Sequence, residues 1–236
     1  MPLPTLSIPD YECVLPFGQK VTYRPFLVRE EKLLYMAMET QNQKEMIKAV
    51  KEIIKNCTNV KNVNTLTTFD IEYLFLKIRG KSVGEELEVN IICPDDNETQ
   101  VPVTIYLDDI QVQKDENHTN KIKLDDSLMM ELKYPSLDQF IKSNFDFNDK
   151  NAMDQSFELI ASCIDKIYNE DEVWATADCT KKEVKEFLES MNSQQFKEIE
   201  AFFESMPKLS HTINVTNPNT KVESEVTLEG LASFFV

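Results

Sequence analysis

The sequence predicts an α+β protein in which an antiparallel sheet and hairpins are flanked by N-terminal and C-terminal amphipathic helices. Three observations predict this class. Residues 69–78 are apolar on every side of a helix, residues 85–134 alternate apolar and polar side chains, and residues 153–206 return to helical spacing. With 236 residues, 42% of them hydrophobic, the chain can bury a full core.

The N-terminal part predicts a hairpin followed by two helices. Residues 11–15 can pair with residues 19–23 across Phe17-Gly18. Apolar residues then fall on one face over residues 29–38 and again over residues 44–56. These segments predict a small helical cluster.

A buried helix is the central element of this cluster. Thr67 and Asp70 resemble a capping box, with the acidic residue in place of the usual Glu or Gln. Lys77 and Arg79 suit the negative helix end, and Gly80 is a plausible stop. The sequence therefore predicts a helix that ends at Gly80, with a strand beginning after Gly84.

The middle of the chain predicts one antiparallel sheet, because period-two segments alternate with polar turn sequences. The predicted strands cover residues 85–93, 99–107, 110–113, 121–124 and 129–134.

The C-terminal part predicts mainly helices. Ser136 with Gln139, and Thr180 with Glu183, have capping-box spacing. One long amphipathic helix is predicted from Met153 to Ile167, since its apolar residues share one face. Further helices follow around residues 184–191 and 196–206, and residues 211–216 and 222–228 form a hairpin.

A polar segment at residues 144–151 predicts the domain boundary. Residues 1–143 then form a mixed α+β domain with the buried helix and the sheet. Residues 144–236 form a mainly helical region that ends in a hairpin and a short apolar tail.

Charge and composition exclude several classes of partner. The formal net charge of −16 argues against nucleic acid, because phosphate binding depends on clustered Lys and Arg. Neither a secretory signal nor a membrane span is predicted, so we expect a soluble protein of a reducing cytoplasm. Five scattered cysteines argue against a disulfide framework. The acidic surface is expected to be solvated or to steer basic partners.

Signatures of catalysis are weak in this sequence. Four isolated glycines provide no phosphate-binding loop, and His118 and His211 are the only histidines. We therefore predict no catalytic, cofactor-binding or metal-binding residue and no cofactor. Adjacent carboxylates could form an acid/base couple or a Mg²⁺ site only if the fold brought them together. The pairs are Asp95-Asp96, Asp108-Asp109 and Asp125-Asp126.

Two predicted turns resemble a zinc ribbon that has lost its ligands. Zinc ribbons place paired Cys-Pro-x-Cys turns on two hairpins around tetrahedral Zn²⁺. The turns of this chain read Cys93-Pro94-Asp95-Asp96 and Asn217-Pro218-Asn219-Thr220, which retain one cysteine of four. Two plain hairpins are the better interpretation, and a zinc-stabilised module is the alternative.

Exposed aromatic and apolar residues predict the partner-binding positions. Trp174 lies in an acidic connection, and Leu231, Phe234 and Phe235 lie in the C-terminal tail. Each could pack on the core of its own chain or anchor an interface with a neighbouring subunit.

Four segments together resemble the baseplate hub proteins of T-even-like contractile-tailed bacteriophages. They are FDIEYLFLKIRGKSVGEELEV from Phe69, YRPFLVREEK from Tyr23, MPKL from Met206 and LEGL from Leu228, and the similarity extends from about Leu3 to the C-terminus. None of them is a catalytic signature, so their specificity comes from occurring in this order.

This resemblance implies a non-enzymatic tail protein that forms the baseplate hub through contacts with other hub or tail proteins. Such a protein is located in the virion tail baseplate, or in the host cytoplasm during assembly. Two alternatives stay open: a transient assembly chaperone that is absent from the mature virion, and a metal-dependent hydrolase that uses converged carboxylates.

Overall fold

The computed structural model describes residues 6–40, 42–142, 153–230 and 233, and it confirms the α+β class. The helices are α1 (Val28–Glu39), α2 (Gln43–Cys57), α3 (Thr68–Val83), α4 (Leu137–Lys142), α5 (Met153–Cys163), α6 (Lys181–Glu189) and α7 (Ser193–Ser205). The strands are β1 (Tyr11–Val14), β2 (Lys20–Tyr23), β3 (Glu86–Ile92), β4 (Gln100–Tyr106), β5 (Gln111–Gln113), β6 (Lys121–Lys123), β7 (Met129–Leu132), β8 (Ile164–Tyr168), β9 (Val173–Ala175), β10 (Lys208–Thr216) and β11 (Glu223–Glu229).

The chain forms two compact units, and the first is discontinuous in sequence. Unit 1 contains Met1–Gln113 and Lys208–Val236, and unit 2 contains Lys114–Pro207. The C-terminal hairpin belongs to unit 1 because β10 pairs with β5, with Leu209 opposite Val112. This division differs from the expected one, because the predicted boundary between residues 143 and 144 lies inside unit 2. The polar segment 144–151 is outside the described residues.

Helix α3 is the buried helix that the sequence predicts. Its capping box is present, since the Thr67 side chain accepts from the Asp70 N–H and the Asp70 carboxylate accepts from Thr67. Leu74, Phe75 and Ile78 are fully buried. Leu76 of α3 belongs to a hydrophobic cluster that also contains residues of β3, β4 and β10. Enclosure by neighbouring elements therefore explains why no polar face is present on this helix.

The end of α3 differs from the prediction. Gly80 lies inside the helix, and the helix continues to Val83 before Gly84 terminates it. A Cβ at Gly80 would contact Leu107 Cδ1 at 3.5 Å, an ordinary van der Waals distance. At Gly84 φ is +124°, a conformation that L-residues rarely adopt. Backbone conformation, rather than the first glycine along the chain, determines where the helix stops.

A buried carboxylate joins the N-terminal elements of unit 1. Glu30, at the start of α1, is 1% exposed and accepts hydrogen bonds from Arg24 at 3.0 Å, Arg29 at 2.8 Å and the Leu27 N–H at 2.9 Å. Arg24 also donates to the Asn56 carbonyl at the end of α2. Burial opposes ionisation, but these bonds hold the pKa of Glu30 below its usual range. Residues of the YRPFLVREEK segment therefore connect β2, α1 and α2.

The strands form several small sheets rather than the single sheet that was expected. β1 pairs with β2 as predicted, and β3 pairs with β4. The other two sheets have the orders β11-β10-β5 and β6-β7-β8-β9, and every pairing is antiparallel. Strand β5 pairs with a strand almost 100 residues away, a contact that local sequence pattern does not encode.

Unit 2 packs the four-stranded sheet against helices. The long helix predicted to reach Ile167 is wrong in its second half, because α5 ends at Cys163 and β8 begins at Ile164. Ile164 is fully buried and Ile167 is partly buried against the same core. The spacing of the apolar residues Ile164 and Ile167 fits a helix as well as a short strand, so the sequence pattern alone could not distinguish the two structures. The Thr180/Glu183 capping box begins α6 as predicted.

The two glycines of α3 provide a matched test of this helix end. We expect Gly80→Ala to change the free energy of unfolding by no more than about 1 kcal/mol, because a helical alanine fits there. Gly84→Ala should destabilise by about 1–3 kcal/mol, because alanine is strained at the conformation of Gly84. Urea unfolding followed by circular dichroism measures both, and equal losses in the two variants would contradict the assignment.

Candidate interaction surfaces

The carboxylate pairs do not converge on a common centre in the part of the chain that the structure describes. No group of three or more His, Cys, Asp or Glu side chains is arranged there to hold a metal ion. Asp108 accepts from Lys77 Nζ at 2.6 Å, and Asp126 pairs with Lys123 at 2.9 Å. Asp125 accepts from the Ser127 and Leu128 backbone N–H groups, which closes a turn. These carboxylates therefore serve local structure.

The two turns that resemble zinc knuckles do lie side by side. Asn217 is fully buried, and its Nδ2 donates to Asp95 at 3.1 Å and to Asp96 at 2.9 Å. Its Oδ1 accepts from the Asn219 N–H at 2.8 Å, and Asn219 Nδ2 donates to Thr99 Oγ1 at 3.0 Å. Hydrogen bonds thus join the β3–β4 turn to the β10–β11 turn.

Both carboxylates of this contact are held ionised. The hydrogen bond from Thr220 is the main interaction that lowers the pKa of Asp95, and the hydrogen bonds from Asn217 lower it further. The Thr99 hydroxyl and backbone N–H groups, together with Asn217, lower the pKa of Asp96 well below its usual range. Burial and the two nearby carboxylates raise the pKa of the Cys93 thiol, so it is not a thiolate at neutral pH. Hydrogen bonds of Asn217 and Asn219 with Asp95, Asp96 and Thr99 thus hold the two hairpins together, and we call this group of residues the polar clasp.

His118 lies in unit 2 and makes structural contacts. Ser205 Oγ donates to the Ala201 carbonyl at 2.6 Å, so the 2.9 Å contact between His118 Nδ1 and Ser205 requires His118 to donate. His118 Nε2 then accepts from the Tyr134 hydroxyl at 2.9 Å. The ring also stacks on Tyr134 and lies against Phe202. Because the serine proton points to a carbonyl, this Ser–His pair does not have the geometry of an activated nucleophile.

Trp174 lies on β9, the edge strand of the unit 2 sheet, rather than in an irregular connection. It is 41% exposed, and Val173 beside it is 65% exposed. Trp174 stands opposite Ile167 of β8, so the two side chains lie on the same face of the sheet, and Ile167 packs against the core. The preceding turn exposes the carboxylates of Glu170, Asp171 and Glu172 and is closed by Asn169. An exposed aromatic side chain therefore lies beside acidic groups.

The edge position gives this strand unused hydrogen-bonding capacity. In the sheet order β6-β7-β8-β9, β9 has a partner on one side only among the described strands. Unpaired backbone groups of an edge strand are a template for another strand. Val173 was missed by the sequence reasoning, although the Val-Trp-Ala sequence after a polar turn is a signal of a short strand.

The other predicted anchors, Leu231, Phe234 and Phe235, lie outside the described residues. Strand β11 ends at Glu229, and the N–H of the next residue, Gly230, donates to the Leu209 carbonyl at 2.9 Å. Their role in partner binding stays a prediction.

Comparison with known proteins identifies the family. Residues 8–236 match the family model described as T4 bacteriophage base plate protein. The chain belongs to this family. No curated protein and no solved structure matches it.

The family match confirms that the chain is a T4-like phage baseplate protein, as the resemblance implied. Membership implies a structural role in the tail baseplate and contact with other baseplate proteins. Within the described part of this baseplate protein, no helix is both long enough and apolar enough to cross a bilayer.

Replacement of Asn217 tests the polar clasp of the baseplate protein. Asn217→Ala removes the donor shared by Asp95 and Asp96 and leaves their negative charges adjacent, so we expect a lower urea midpoint of unfolding. Asn219→Ala, which loses an exposed partner in the same turn, should lower the midpoint less. A decrease in Asn219→Ala as large as that in Asn217→Ala would contradict the central role of Asn217.

The pH dependence of stability tests the burial of His118. Burial lowers the pKa of His118 from its ordinary value of 6.5, so the unfolded chain binds a proton before the folded chain does. The free energy of unfolding should therefore fall as pH decreases below about 6.5. His118→Gln should flatten this slope between about pH 7 and pH 5. Urea midpoints across this range measure the effect, and parallel slopes for the native chain and His118→Gln would contradict it.

Proposed function

We propose that this baseplate protein is a non-enzymatic subunit required to form the central hub, and that it acts by protein–protein contacts. The family match over residues 8–236 supports this proposal most strongly. The described structure is consistent with it, because the candidate catalytic groups are engaged in turns, ion pairs and packing.

Contact through β9 is the proposed mechanism in unit 2. Trp174 offers a large apolar side chain that is already positioned by the sheet, so little conformational entropy is lost when it is buried. The edge of β9 can pair with an extended segment, and the acidic turn at residues 170–172 favours a partner with basic residues beside that segment. Leu231, Phe234 and Phe235 are proposed as a second apolar contact.

The alternative is a transient assembly chaperone that acts in the host cytoplasm and is absent from the mature virion. The same surfaces would serve it, because both roles depend on binding hub or tail proteins. Quantitative mass spectrometry of purified tails and infected-cell lysate separates them, since a subunit is retained in tails and a chaperone is found only in lysate.

The single tryptophan of the chain reports directly on the proposed contact. When hub and tail proteins from infected cells bind the full chain, we expect Trp174 to become protected from oxidation, because the ring loses contact with water. Mass spectrometry of the peptide that contains Trp174 measures this protection. Trp174→Ala should weaken recovery of partners in a pull-down, by about 2 kcal/mol or roughly 30-fold in Kd.

Matched variants make this experiment specific. Trp174→Phe keeps an aromatic anchor and should retain most of the binding, and a chain that ends at Gly230 tests the tail separately. Undiminished recovery of all partners by both Trp174→Ala and the truncated chain would overturn the proposed contacts.

A further inference from the structure

A groove in unit 1 lies between α1 and α2 and is bordered by residues 61–64; we call it the α1–α2 groove. It has a volume of about 770 Å³. Ala37 of α1 and Ala49 of α2 line it and are buried, and their short side chains leave space between the two helices. Leu33 and Met36 form an apolar wall and are 38% and 61% exposed. The groove therefore combines an apolar surface with access from solvent.

The charged residues of the groove are mainly basic. Lys48, Lys51 and Lys55 recur along one face of α2, and Lys61 follows on the border. Glu45 and Glu52 are the acidic lining residues; Glu45 contacts Lys48 at 2.7 Å and Glu52 contacts Lys55 at 3.6 Å. Lys51 Nζ donates to Asn64 Oδ1 at 2.9 Å within the same lining. By residue count the lining contains four lysines and two glutamates, although the whole chain has a net charge of −16.

The walls of the groove favour a helical occupant. Backbone hydrogen bonds of α1 and α2 are made within each helix, so they cannot extend a bound strand. A bound α-helix satisfies its own backbone groups, so it can lie against these walls without backbone hydrogen bonds from them. The lining residues of α2 from Glu45 to Lys55 span about 15 Å, the length of roughly three helical turns.

We propose that the α1–α2 groove binds an acidic amphipathic helix of another baseplate protein, with apolar residues of that helix against Leu33 and Met36 and its carboxylates against the lysines of α2. This proposal rests on the proposed function in one respect, namely that the chain acts through protein contacts. It names a second surface and the chemistry of its partner.

A second copy of the chain is a poorer occupant by the same electrostatic argument. Each copy has a net charge of −16, so two copies approach against mutual repulsion. A separate protein can present an acidic helix without that overall charge. Charge complementarity at the groove therefore favours a different partner.

Two synthetic peptides of about 18 residues test the proposal, because this length allows helix formation. Both have the same Leu seam at helical spacing; one has Glu on its flanks and the other has Lys. Fluorescence anisotropy with the full chain should show binding of the Glu peptide at least about tenfold tighter than that of the Lys peptide, and weakening by added salt.

Variants of exposed residues assign this binding to the groove. Met36→Asp should weaken binding of the Glu peptide by about tenfold or more, whereas Tyr35→Asp, on the same helix but outside the lining, should not change it. Lys48→Glu combined with Lys55→Glu should weaken it in the same way. Lys32→Glu combined with Lys44→Glu, at two exposed positions outside the lining, is the control with the same change of charge. Circular dichroism checks that each variant is folded.

Three outcomes would overturn the proposal. They are equal binding of the two peptides, unchanged binding by Met36→Asp, and self-association in light scattering that Met36→Asp abolishes, which would assign the groove to a second copy. None of them affects the proposed hub role, which depends on the separate experiments with Trp174, the C-terminal tail and purified tails.

Discussion

Burial of most of α3, from Thr68 to Ile78, is the constraint on which unit 1 depends. A helix without a polar face must be enclosed, and its neighbours have to come from both ends of the sequence. The α1 and α2 helices precede it in the chain, and β10 is supplied by the C-terminal hairpin, where Leu209 joins Leu76 in one core cluster. The discontinuous unit is a consequence of this need, because residues before β10 alone do not complete the enclosure of α3.

Polar residues in this chain are used largely to hold elements together. Glu30 joins β2, α1 and α2, Asn217 joins two hairpin turns, and His118 joins α7 to the segment before β6 and to Tyr134. Each would be a candidate for chemistry in a sequence search. These side chains instead form hydrogen bonds with partners inside the fold. Because of those hydrogen bonds, the groups can be buried without a large loss of stability.

Sequence reasoning succeeds here where the relevant interactions are local. The capping boxes at Thr67 and Thr180 and the turn between β1 and β2 are determined by residues within a few positions of one another. It fails where a distant partner decides the outcome. Ile164 begins a strand because β7 offers it a place in the sheet. The helix continues through Gly80 and ends only at Gly84, where φ is +124°.

The candidate surfaces show the same limit. Trp174 could be identified from composition, since it is the single tryptophan and follows an acidic turn. Its placement on an edge strand depends on the order of the four-stranded sheet, which long-range pairing decides. The α1–α2 groove could not be predicted, because helical spacing shows only which residues of α1 share a face, and the packing of α1 on α2 decides that Leu33 and Met36 stay exposed.

The two proposed surfaces differ in charge, and this difference bears on the role of the protein. β9 places an aromatic side chain beside carboxylates, whereas the α1–α2 groove places apolar side chains beside lysines. A partner that is favourable at one surface is therefore repelled at the other, since like charges brought together at an interface are costly. The two proposed surfaces therefore select binding segments of unlike charge, a basic one at β9 and an acidic helix at the α1–α2 groove.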